Sequence, residues 1–123
     1  MGFGRELCAM VSRTEKPWGY EELLEQNDKY VVKRLFMKAG HCCSLQYHNK
    51  KHETIYVLDG KLKITAGPSA EQLTDTVYNK GDYIALKPGV VHRMSGETDA
   101  LYLESSTNDL DDLVRIQDQY GRK

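Results

Sequence analysis

The stretch that decides the fold runs from residue 40 to residue 60: GHCCSLQYHNKKHETIYVLDG. Residues two apart on a strand share a face, so Gln46 and His48 point the same way. Four residues, Asn49 to His52, then supply a turn, and Glu53 opens the next strand beside the place where His48 leaves the first. Further on, His92 starts another strand just after the Pro88-Gly89 turn. Two imidazoles, a carboxylate and an amide oxygen are a plausible ligand set for a borderline divalent cation. Spacing alone leaves a plainer reading open, in which these are solvated residues flanking turns.

Outward from this stretch, short β-like runs arrive at regular intervals: 29–37, 43–48, 54–67, 74–78, 82–86, 90–95 and 100–105. Asp59-Gly60 between two alternating runs predicts a hairpin, because both residues tolerate positive φ. Only the tail offers helical spacing, at Leu110, Leu113 and Val114, and a strand over 113–118 competes with it. Many short strands with glycine-bearing turns predict an all-β sandwich or barrel. Residues 1–16 read as an N-terminal extension or edge strand, with Met10 an alternative start, and 17–123 as one domain.

Composition sets limits. The 123 residues allow one core, and 40% hydrophobic with 28% charged residues describe an ordinary globular chain. A formal net charge of −1 favours neither nucleic acid nor an anionic membrane as partner. No apolar run nears the roughly 20 residues that cross a bilayer, and the N-terminus has no signal-like apolar segment. A cytoplasmic protein is expected. Three cysteines, Cys8, Cys42 and Cys43, do not make a disulfide framework; reduced, mostly buried thiols are expected.

The spacing carries a resemblance. Gly40, five residues, Gln46-x-His48, four residues, Glu53, six residues and Gly60 are similar to the first cupin motif, with Gln46 where a histidine is usual. Gly81, Lys87-Pro88-Gly89 and His92 resemble the second, with its proline displaced by one position and Gly96 in place of its usual final Asn. Within the superfamily, "KPWGYEELLEQNDKYVVKRLFMKAGHCCSLQYH" and "DDLVRIQDQYGRK" resemble the C-terminal domain of type II phosphomannose isomerases, often fused to a mannose-1-phosphate guanylyltransferase. The resemblance implies a jelly-roll, or double-stranded β-helix, and a metal ligand set of Gln46, His48, Glu53 and His92 for one Zn, Mn, Co or Ni ion. It leaves Gln46 the weakest ligand, able instead to orient a metal-bound water. His41 and His52 match no ligand and are expected at the surface. Where the isomerases carry His-His-Arg, this chain has Asn49, Lys50 and Lys51; lysine cannot copy arginine's bidentate phosphate contact.

Other residues have two readings each. Trp18 is expected as a core anchor rather than a sugar platform. Lys33 and Arg34 must point to opposite faces of their strand. If Tyr30, Val32 and Phe36 face inward, Arg34 does too, and a sugar phosphate or an internal carboxylate would pair it. Arg93 is expected in a structural salt bridge, and Arg115 as a pin for the tail. Lys50 and Lys51 read as exposed turn lysines, with phosphate attraction the alternative.

The resemblance implies an aldose–ketose isomerase of sugar phosphates, mannose 6-phosphate above all. A divalent cation would act as Lewis acid on the oxygens of a cis-enediol. No residue declares itself the general base; Glu53 can serve only if it is not a ligand. Two other readings compete: a non-catalytic cupin holding a sugar or nucleotide sugar, and a metal-dependent oxygenase, against which Gln46 argues. Without a nucleotidyltransferase domain, this chain by itself is expected not to make a sugar nucleotide. A homodimer formed through sheet edges is expected.

Overall fold

The structure is a computed structural model that describes residues 12–109 and 111–122. Most of the N-terminal extension, with Cys8 and Met10, lies outside the described residues, as does Leu110. Eleven strands follow one another: β1 Ser12–Lys16, β2 Gly19–Gln26, β3 Tyr30–Met37, β4 Leu45–Tyr47, β5 Glu53–Asp59, β6 Lys61–Ser69, β7 Gln72–Asn79, β8 Tyr83–Leu86, β9 Val91–Gly96, β10 Ala100–Thr107 and β11 Val114–Gln117. One sheet has the order β1-β2-β3-β10-β5-β8 and the other β11-β4-β9-β6-β7. This is the expected all-β jelly roll. No helix is present among the described residues, so the tail takes the strand reading, with Val114 and Arg115 paired to Tyr47 and Gln46 of β4. Ser12–Lys16 is an antiparallel edge strand on β2.

The hairpin predicted at Asp59-Gly60 does not form. β5 pairs with β10 and β8, while β6 pairs with β7 and β9 in the opposite sheet. The tight turn is there, but it carries the chain from one layer to the other. Gly60 sits at φ 77°, and a Cβ on it would lie 1.9 Å from the carbonyl oxygen of Asp99. The residue is glycine because the β9–β10 loop packs directly on the turn backbone.

Alternation along each strand buries one row between the sheets. Trp18, Leu35, Met37, Ile55, Val57, Leu62, Ile64, Met94 and Tyr102 form the core, so Trp18 is the anchor expected of it. On β3 the inward row is Val31, Lys33, Leu35 and Met37, which corrects the assignment of Arg34. Arg34 lies on the outer face, where its Nε donates to Glu22 at 2.8 Å. Both rows of this strand are apolar enough to be buried, and a one-residue shift exchanges them. The outer row is half covered by its own neighbours: Phe36 stacks on Tyr20 with ring centroids 5.4 Å apart.

Cys42 and Cys43 are free and half-buried. Burial pushes the Cys43 thiol up to about 12, so it stays protonated and unreactive. Among the described residues Arg93 makes no salt bridge of the expected kind; its guanidinium donates to the carbonyls of Cys43 and Gln117, stitching the β11 segment to the sheet.

Candidate metal centre

The two sheets meet at the opening motif. β4 brings Gln46 into register with His92 of β9, and His48 follows at the end of β4. From the opposite sheet, Glu53 enters as the first residue of β5. Gly89, in the loop before β9, donates its N–H to the His48 carbonyl at 2.7 Å, which holds the His92 strand against the His48 turn. One ligand atom each from His48, Glu53 and His92 lie within 4.8 Å of one another, and all three residues are buried.

Both imidazoles are fixed from behind. His48 Nδ1 is 2.5 Å from the Asp112 carbonyl and His92 Nδ1 is 2.9 Å from the Val90 carbonyl. A carbonyl only accepts, so each Nδ1 carries the hydrogen and each Nε2 points its remaining site at Glu53. His92 Nε2 approaches Glu53 Oε1 to 3.1 Å, and His48 Nε2 approaches Oε2 to 3.7 Å. Yet His48 Nε2, His92 Nε2 and Glu53 Oε1 are all buried without a hydrogen bond. Lone pairs facing a carboxylate this closely repel unless a positive charge, a proton or a metal cation, lies between them. Two imidazoles and a carboxylate with their distal nitrogens anchored on carbonyls suit a borderline divalent cation.

The titration directions agree with this polarity. Burial lowers His48. Burial also pulls His92 down, but the Glu53 carboxylate outweighs it and the net direction is up. Burial would raise Glu53, whereas His92, Lys51 and His48 together hold it down at about 2.

The turn between His48 and Glu53 is built by Asp112. Its carboxylate accepts the backbone N–H groups of Asn49, Lys50 and Lys51 at 3.0, 2.6 and 2.9 Å, which holds its own carboxyl down at about 2. Asp112 therefore supports His48 twice, by its carbonyl and by this turn.

Gln46 lines the adjoining cavity, and its Oε1 accepts from the Ser44 hydroxyl at 2.6 Å. Lys50 is exposed, but Lys51 is not: it is 7% exposed, with Nζ 3.2 Å from Glu53 and 3.1 Å from Glu104. The turn's hydrogen bonds to Asp112 fold Lys51 inward, a constraint the local sequence does not display. Glu104, which spacing did not single out, is a buried carboxylate in the same cavity; burial and the Glu53 charge raise it, against the pull of Lys51. His52 is exposed and His41 half-buried, and neither joins the cluster.

The adjoining cavity has a volume of about 230 Å³. Gln46, His48, Lys51 and Glu104 line it near the cluster; Trp18, Glu21, Lys33, Lys16, Arg115 and Arg122 line it elsewhere.

Such a double-stranded β-helix with two histidines and a glutamate converging inside it defines a cupin. The chain belongs to the mannose-6-phosphate isomerase C-terminal family, whose model matches residues 4–118. It is 32% identical over 97% of its length to the xanthan biosynthesis protein XanB of Xanthomonas campestris pv. campestris (strain B100), covering 26% of that protein. To a mannose-1-phosphate guanylyltransferase of Escherichia coli (strain K12) it is 31% identical, over 97% of this chain and 25% of the relative. The chain thus spans about a quarter of the length of the curated relatives it matches. Among solved structures, the capsular polysaccharide assembling protein CapF from Staphylococcus aureus superposes with a TM-score of 0.75 at 17% identity, over 87% of this chain and 32% of that one. An RmlC-like cupin from Shewanella frigidimarina superposes with a TM-score of 0.70 at 15% identity, over 81% and 86%. At these identities the structural likeness concerns the fold.

Proposed function

We propose that this cupin domain is a metal-dependent aldose–ketose isomerase of sugar phosphates, with mannose 6-phosphate its substrate. The carrying observation is the trio of buried atoms on His48, Glu53 and His92 that lack a hydrogen bond yet face one another, beside a cavity that His48 lines together with a separate carboxylate, Glu104. His48, Glu53 and His92 would hold one Zn, Mn, Co or Ni ion, with Gln46 a fourth ligand or the orienter of a water. When bound, the ion supplies Lewis acidity for the negative charge that develops on the sugar oxygens.

The chain's own residues divide the remaining work. Isomerisation removes the proton on the carbon beside the carbonyl and returns a proton to the former carbonyl carbon, with no net gain or loss of atoms. A base for this must be ionisable near neutral pH. Glu53, held at about 2 and facing two imidazoles, is a poor candidate. Glu104, raised by burial and by the Glu53 charge, is the better one, and we assign the proton transfer to it. Lys51, bridging both carboxylates, keeps Glu104 aimed at the cavity.

A cavity of about 230 Å³ is smaller than the roughly 300–1,000 Å³ of pockets for drug-sized ligands. That favours a monosaccharide phosphate over a nucleotide sugar, and so favours the isomerase over a nucleotide-sugar binder. We place the protein in the cytoplasm as a homodimer paired through an exposed sheet edge at β1, β8, β7 or β11. Light scattering tests the dimer. For the activity, the chain is loaded with each of the four ions and supplied with mannose 6-phosphate in D₂O. Ketose formation with deuterium at the carbon that receives the proton is expected. Neither turnover nor exchange with any ion would refute the isomerase.

A further inference from the structure

The wall of the cavity away from the cluster carries a charge arrangement that the metal centre does not use. Lys33 Nζ lies 3.3 Å from Glu21 Oε1, and Lys16 Nζ lies 4.0 Å from the same oxygen. Two ammonium groups thus share one carboxylate oxygen, with side chains only 27% and 16% exposed for Lys16 and Lys33. Arg122 is nearby, but its guanidinium is engaged by both oxygens of Asp118. Arg115 lines the same cavity. Glu104 also faces Lys33 across the strand pair, but it is in contact with Lys51, so Glu21 is the one carboxylate in contact with the half-buried lysine pair, and a dianion would complete the arrangement.

The strand register gives the distance. β3 and β5 are separated by β10, so Lys33 stands two strand intervals, roughly 10 Å, from the strand of Glu53. It is also two residues further along the sheet, since Lys33 pairs with Glu104 and Glu53 with Ser106. That separation suits an open-chain hexose with its reactive carbons at the cluster and its terminal phosphate on the lysines.

We propose that Lys16 and Lys33, with Arg115 beside them, form a phosphate subsite that seats the terminal phosphate monoester of the sugar, and that Glu21 occupies it as an internal surrogate anion until ligand arrives. The inference rests on the sugar-phosphate reading but is tested without turnover. It makes Glu21 a competitor of the ligand, a role that a plain salt-bridge network would not have.

The test is calorimetric titration of the intact chain with mannose 6-phosphate, mannose and inorganic phosphate, in both chelator-treated and zinc-loaded protein. Chelation keeps the phosphate from meeting a cation, so binding then reports the lysines. Mannose 6-phosphate should bind well above mannose, and more weakly as salt rises, because partly exposed charges are screened. Lys16→Met with Lys33→Met should weaken mannose 6-phosphate roughly 10- to 100-fold, the loss of one or two charged hydrogen bonds, while preserving the aliphatic stems and the fold. Glu21→Gln should tighten it several-fold, and Arg34→Met, on the outer face, should leave it unchanged. Equal binding of mannose and mannose 6-phosphate overturns the subsite, as does a double variant with wild-type affinity or a Glu21→Gln variant that binds no tighter. Phosphate-dependent binding of this pattern in a chain that never isomerises the sugar supports the subsite while removing the isomerase.

Discussion

Adding a divalent cation to chelator-treated protein is the perturbation that bears most directly on the three converging atoms of His48, Glu53 and His92. Each buried polar group without a partner costs about 1–3 kcal/mol. His48 Nε2 has no hydrogen bond, and His92 Nε2 and Glu53 Oε1, 3.1 Å apart, are satisfied only while a proton lies between them, so the metal-free chain sits below its attainable stability. A ligand that binds only the folded chain adds about 2.7 kcal/mol at a hundred times its dissociation constant. For a domain of this size each kcal/mol moves the melting temperature by about 4 °C, so a rise of about 10 °C is expected. The assay is a thermal melt of chelator-treated protein with increments of zinc, manganese, cobalt and nickel, paired with elemental analysis. His48→Ala with His92→Ala should keep a native circular dichroism spectrum, melt near the chelated wild type, and respond to none of the four ions. The cavity left by the two rings and the relief of their unsatisfied nitrogens act in opposite directions, which keeps that baseline close. Full metal content in the double variant, or a wild-type melt that no ion shifts even at millimolar concentration, would refute the reasoning.

Lys51→Met leaves Glu53 and Glu104 facing each other without their shared cation and should cost about 3–5 kcal/mol by urea denaturation at pH 8. Because the folded-state value of Glu104 is already raised, its protonation relieves the repulsion, so the deficit should shrink as pH falls through that value. A deficit independent of pH would contradict the pairing. Asp112 is held at about 2, below its ordinary value, so its contribution is present above that ordinary value and is lost as pH falls toward 2. Asp112→Asn should remove this acid sensitivity and weaken metal binding about tenfold through the loosened His48 turn, as measured by competition with a chelating dye. Gly60→Ala, with its Cβ driven into the Asp99 carbonyl and a positive φ to maintain, should destabilise the fold by about 2–4 kcal/mol; a neutral effect would show that the turn relaxes freely.

Much of this molecule was written along the chain. Alternation and glycine spacing were enough for an all-β sandwich, and the motif from Gly40 to Gly60 with His92 singled out His48, Glu53 and His92, which the fold brings together. These features are local: side-chain period, turn chemistry and the reach of a four-residue turn. What the chain could not state by itself was which neighbour each element meets. Asp59-Gly60 has every mark of a hairpin, yet β5 and β6 pair in different sheets, because pairing partners come from β10 and β9, far away in sequence. Lys33 and Arg34 are equivalent on paper, since both rows of β3 are apolar; only the packing of two layers decides which is inside. Lys51 reads as a solvated turn residue until Asp112, some sixty positions later, folds its backbone inward. Glu104 and Glu21 likewise become part of a site only when strands from opposite ends of the chain share one cavity. Sequence determined the kinds of atoms available and the pitch at which they recur; long-range pairing, which no local pattern encodes, decided which of them face one another.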